Sequence, residues 1–103
     1  MKDVSKDNLG YDLEINRNYE VYFVEVKGCK RQHDVVLTKN EWEVAKEKKE
    51  QYWLFIYVCD EDTVYIIKNP TNKLEPYKYM IKSDEWINKA DDKIRFYIEA
   101  KEG

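Results

Sequence analysis

At 103 residues the chain has room for one compact domain and excludes two. Hydrophobic residues at 43% and charged residues at 38% exclude a disordered chain, and three Gly with two Pro exclude long flexible linkers. The net charge of −3 withholds the overall basic character of many nucleic-acid binders; residues 27–50 form the one positive block, at +2.

Cys29 and Cys59 are too far apart in sequence for a zinc spacing or a disulfide framework, and Cys59, at the end of an apolar run, is expected as a buried thiol. No apolar stretch nears the roughly 20 residues of a membrane span. The charged start, Met1 to Asp7, is unlike a signal peptide. A cytoplasmic location without membrane contact is the expectation.

Residues 1–10 read as a polar lead-in. Tyr11 to Ile15 alternates apolar and polar, predicting a half-buried strand with Tyr11, Leu13 and Ile15 toward the core and Asp12 and Glu14 on the other side. Asn16-Arg17-Asn18 predicts a hairpin turn. Tyr19 to Lys27, rich in β-branched and aromatic residues, predicts a long strand that Gly28 ends or bends. Its period of two puts Glu25 and Lys27 on one face.

Val35 to Leu37 predicts a short strand. Thr38 and Glu41 then form a capping-box pattern, opening a helix to about Glu50 with Trp42, Ala45 and Lys49 along one side. Tyr52 to Cys59 reads as a buried strand, Asp60-Glu61-Asp62 as a turn, and Thr63 to Lys68 as a returning strand. Beyond the break at Asn69-Pro70, the expectations are a strand over Tyr77 to Ile81, a short helix capped by Ser83, and a final strand over Ile94 to Ala100. Residues 11–68 are thus the core of one domain over 1–103, with 69–103 extending its sheet. The order of elements predicts an α/β (α+β) layer with a mixed sheet.

Asp12, Glu25 and Lys27 carry the candidate chemistry. Mg²⁺ prefers carboxylate and carbonyl oxygens, which Asp12, Glu25 and the Val26 carbonyl offer. A lysine beside such a site can hold a water and offset charge developing on a phosphate. Spacing alone proves little, because Glu-x-Lys on a strand is also a common cross-strand ion pair. Glu99 and Lys101 repeat the pattern near the other end of the chain.

The company of the first copy is more specific. Gly10-Tyr11-Asp12-Leu13 precedes Val24-Glu25-Val26-Lys27-Gly28. Leu37-Thr38-Lys39-Asn40-Glu41-Trp42 with Ala45 follows, then Tyr52-Trp53-Leu54-Phe55-Ile56-Tyr57-Val58. In this order and spacing, residues 9–67 resemble the domain at the C-terminus of the plant protein NO VEIN, found also in many prokaryotic restriction and defence proteins. That family resembles the PD-(D/E)xK, restriction-endonuclease-like nucleases.

The resemblance implies a mixed β-sheet flanked by helices, with the superfamily's N-terminal helix short or missing. It implies Asp12 and Glu25 as the two acidic residues, Lys27 as the catalytic lysine, and Mg²⁺ as cofactor, with Mn²⁺ able to substitute. The implied activity is DNA endonuclease within a restriction or phage-defence system, leaving 5′-phosphate and 3′-hydroxyl ends. DNA is the expected partner, with a larger restriction or ATPase assembly and a second copy of the chain as further candidates. Lys30, Arg31 and Lys39 are candidate phosphate contacts, a solvated loop being the plainer reading. His33 is read as a surface residue, Trp42 as core, and Glu41 as the capping partner rather than a third ligand. The alternative function is an inactive nuclease-fold module that binds DNA or a protein partner. An unrelated interaction or inhibitor protein is a third.

Overall fold

β-branched and aromatic residues concentrate in Glu20–Cys29 and Tyr52–Val58, and these two runs become the centre of the sheet. The computed structural model describes residues 1–96. In chain order these form β1 (Lys2–Asp3), β2 (Leu13–Arg17), β3 (Glu20–Cys29), β4 (Val35–Val36), α1 (Lys39–Lys48), β5 (Tyr52–Val58), β6 (Thr63–Lys68), α2 (Pro70–Lys73), β7 (Met80–Ile81), α3 (Ser83–Lys89) and β8 (Asp92–Arg95). Short 3-10 turns occupy Ser5–Asp7, Lys49–Gln51 and Cys59–Glu61.

Six strands make one mixed sheet in the order β1-β2-β3-β5-β6-β8, and β4 pairs with β7 separately. β3 and β5 run parallel, with Glu25 opposite Leu54 and Lys27 opposite Ile56. The other neighbours in the sheet are antiparallel. A parallel pair cannot be joined by a tight turn, and the crossover here carries β4 and α1. The expected mixed α+β architecture is what the chain adopts. Among the described residues no helix is long and apolar enough to cross a membrane.

Burial along β5 follows a period of two: Tyr52, Leu54, Ile56 and Val58 are fully buried, while Trp53, Phe55 and Tyr57 are half-buried. The buried row of Leu54, Ile56 and Val58 joins Trp42, Leu37, Ile67, Leu74, Ile81 and Trp86 in one core. The pairing register puts Glu25, Lys27 and Cys29 of β3 on that same core-facing side.

Several local expectations are corrected. The β2–β3 hairpin turns at Asn18-Tyr19, not Asn16 to Asn18: both residues have positive φ, and Arg17 pairs with Glu20. Leu13 and Ile15 pair with Val24 and Tyr22, so they lie half-buried on the face opposite the main core. Gly28 neither ends nor interrupts β3 and pairs with Tyr57. Lys49 does not extend the buried side of α1; it caps the helix at φ 54° and is exposed. Cys59 is exposed and Cys29 is the buried thiol, because β5 ends at Val58.

The Tyr77–Ile81 strand shrinks to Met80–Ile81 plus one bridge from Tyr77. The short helix begins at Ser83 as expected, but Lys82 caps it without a side-chain bond. The last described strand is Asp92–Arg95. The second Glu-x-Lys copy, Glu99 and Lys101, lies outside the described residues.

Candidate functional site

Where β2 stops, β3 continues past it. The last β2–β3 pair is Leu13 with Val24, so the edge of β3 beyond Val24 would face no strand. Asp12 fills that place. Its N–H donates to the Val24 carbonyl at 2.8 Å and its own carbonyl accepts from the Val4 N–H at 2.8 Å. Its carboxylate Oδ2 accepts from the Val26 N–H at 2.9 Å. Three bonds thus fix one carboxylate beside the Glu25-Val26 peptide. Backbone N–H and C=O of one strand residue point to the same edge, so the Val26 carbonyl lies on the Asp12 side as well.

Gly10 sets the approach of this segment. Its φ is +85°, and a Cβ there would stand 2.7 Å from Val44 Cγ2 of α1. Its carbonyl accepts from the buried Tyr52 hydroxyl at 2.8 Å. Burial, reinforced by the charges of Glu25, Glu41 and Asp12, raises the pKa of that hydroxyl, so it remains a donor.

Glu25 is 3% exposed. Lys27 Nζ lies 3.5 Å from Glu25 Oε2 and 2.8 Å from Glu41 Oε1. Burial and the neighbouring carboxylates of Glu41 and Asp12 push the Glu25 carboxyl up to about 9, against the opposing pull of Lys27. Burial works against the Lys27 ammonium, but the hydrogen bond to Glu41 and the charges of Glu25 and Glu41 outweigh it and hold the pKa above the ordinary lysine value. Burial likewise opposes the Glu41 carboxylate; the Lys27 bond and the Thr38 N–H overcome it and bring its pKa below the usual value. Without a cation the cluster is therefore a Lys27–Glu41 ion pair beside a neutral Glu25.

A cavity of about 310 Å³ opens here, lined by Asp12, Glu25, Glu41, Asn40, Gly10 and Tyr11 among others. Among the described residues no group of three or more His, Cys, Asp or Glu side chains is arranged to hold a metal ion. Of the three carboxylates lining the cavity, Glu41 is taken up by Lys27, which leaves Asp12, Glu25 and the Val26 carbonyl as oxygen donors. That set fits Mg²⁺ or Mn²⁺, which bind through one or two carboxylates and keep several waters.

Of the sequence-predicted residues, Asp12, Glu25, Val26 and Lys27 come together. Lys39 opens α1 between Thr38 and Asn40, both at the cavity, and lies 3.9 Å from Glu43. Lys30 and Arg31 do not join the site: they follow β3, where the Lys30 carbonyl takes the Asp60 N–H and Arg31 lies 3.4 Å from Asp60. His33 is exposed and its carbonyl accepts from Trp86 Nε1. Sequence reasoning missed Glu41, Gly10 and Tyr52 as parts of the site. For Glu41 the capping pattern gave its place on the helix but not its approach to Lys27, which follows from the crossover between parallel β3 and β5.

Residues 1–67 match the family described as Protein NO VEIN, C-terminal, and the chain belongs to that family. No curated protein and no solved structure matches the chain.

Proposed function

We propose that this member of the NO VEIN C-terminal family is a Mg²⁺-dependent DNA endonuclease domain of a restriction or phage-defence system, acting in the cytoplasm. The observation that carries the reading is that Asp12 and Glu25 line one cavity, with the Asp12 carboxylate fixed by the Val26 N–H and the Lys27 ammonium 3.5 Å from Glu25. Its resemblance to restriction-endonuclease-like nucleases supplies the reaction class.

Asp12, Glu25 and the Val26 carbonyl would hold the cation, which when bound supplies Lewis-acid polarisation of a phosphate oxygen. Asp12 is held at the cavity by its backbone bonds and by the Val26 N–H. Glu25 must lose its proton first, so binding releases a proton and tightens as pH rises. Lys27, with three donors on one ammonium, orients a water for in-line attack and offsets charge on the phosphate. Lys39, between the cavity residues Thr38 and Asn40, would meet a neighbouring phosphate.

The second reading is an inactive module that binds DNA or a protein. It is favoured by one observation: the Glu25, Lys27 and Glu41 groups already satisfy one another, and no buried side-chain polar atom lacks a partner among the described residues. Plasmid cleavage with Mg²⁺ or Mn²⁺ separates the two. The nuclease reading predicts nicking that is lost in Lys27→Ala and Glu25→Ala. Activity surviving both substitutions, or absent from the wild type at saturating Mn²⁺, would overturn it.

A further inference from the structure

Glu41 is more than a cap. At the third position of α1 its Oε1 accepts from the Thr38 N–H at 2.7 Å, while its own N–H donates to Thr38 Oγ1 at 3.1 Å. A capping carboxylate at this position usually faces water. Here the side chain is only 14% exposed, and the same Oε1 takes Lys27 Nζ at 2.8 Å. That is closer than the 3.5 Å from Lys27 to Glu25. Lys27 stands on a flexible four-carbon stem, so its position follows its tightest partner. That partner is anchored to the rigid start of a helix.

We propose that Glu41 is a positioning residue: clamped by the capping box, its carboxylate fixes where the Lys27 ammonium stands relative to Glu25 and Asp12. It touches neither cation nor phosphate. The assignment rests on the nuclease reading for its consequence, but the placement of Lys27 can be measured without it. Displacing an aligned catalytic group by about 1 Å costs on the order of 100-fold in rate.

The test compares Glu41→Ala, Glu41→Gln and Ala45→Gly, the last loosening α1 without contact to Lys27. Steady-state cleavage of a duplex oligonucleotide with Mn²⁺ should show kcat about 100-fold lower in Glu41→Ala, with KM and Mn²⁺ affinity within about threefold of wild type. Glu41→Gln keeps an oxygen acceptor for Lys27 and should recover at least about tenfold of the loss. Ala45→Gly should keep kcat within about threefold. Unchanged kcat in Glu41→Ala, an equal loss in Ala45→Gly, or a parallel fall in Mn²⁺ affinity would overturn the assignment.

A wild type that cleaves nothing refutes the nuclease reading, and the placement is then read from the Lys27 ¹⁵Nζ resonance. A slowly exchanging ammonium signal in wild type and Glu41→Gln, lost in Glu41→Ala, supports Glu41 as the anchor. A signal that survives in Glu41→Ala overturns it.

Discussion

Replacing Glu25 with Gln tests the electrostatics of the site in the metal-free chain. In the unfolded chain the carboxyl ionises near 4.5, whereas the folded site keeps its proton to about 9. The folded state therefore binds a proton that the unfolded state has released. The stability this contributes is complete below about pH 4.5 and falls as pH rises toward 9.

Each pH unit in that window removes about 1.4 kcal/mol, or roughly 3 kcal/mol between pH 6 and pH 8. That is a large share of the 5–15 kcal/mol typical of a small domain, so the effect is measurable. The other shifted groups of the cluster stay out of the window. Glu41 is moved downward from 4.5 and Lys27 upward from 10.5, so neither changes its charge between pH 6 and pH 8.

Gln is nearly isosteric with the neutral acid and does not titrate. Urea unfolding of both proteins at pH 6, 7 and 8 should therefore give a falling profile for the wild type and a flatter one for Glu25→Gln. The variant should gain on the wild type by about 3 kcal/mol across the range. Parallel profiles would refute the reasoning, because Glu25 would then ionise alike in the folded and unfolded chains.

Gly10→Ala should destabilise by about 1–3 kcal/mol, since φ +85° and a 2.7 Å approach to Val44 Cγ2 both oppose a Cβ; chemical denaturation measures it. The same substitution should weaken Mn²⁺ stabilisation, since Gly10 leads directly into the segment that places Asp12. Tyr52→Phe leaves the Gly10 carbonyl without its buried donor and should cost about 1–3 kcal/mol in the same assay. Trp86→Ala should cost about 3–5 kcal/mol, because the ring is fully buried, packs edge-on to Tyr65 and donates to the His33 carbonyl.

Long periodic segments were legible in the sequence because burial acts on them residue by residue. The buried strand expected from the apolar run at Tyr52 and the capping box at Thr38 and Glu41 both appear in the fold where the sequence put them. Turn placement was less legible. Asn16, Arg17 and Asn18 all suit a loop, and the register that seats Leu13 against Val24 moves the turn to Asn18-Tyr19. Cys59 was misread because its neighbours are apolar, whereas the strand ends one residue earlier.

In the site, the shared face of Glu25 and Lys27 follows from strand geometry and was readable. The place of Glu41 depends on how the crossover returns α1 over β3, a tertiary fact that a local capping pattern does not contain. Lys30 and Arg31 look basic beside the motif in sequence, yet Asp60, brought from the β5–β6 connection, takes them to another part of the molecule.

The nuclease reading requires a cation held by Asp12, Glu25 and the Val26 carbonyl. Diffraction from crystals soaked in Mn²⁺ at about pH 8, where cation binding displaces the Glu25 proton, reads this through the anomalous difference map. One peak is expected with all three oxygens about 2 Å away, absent from Asp12→Ala crystals. No peak at saturating Mn²⁺, or a peak held by other residues, would contradict it.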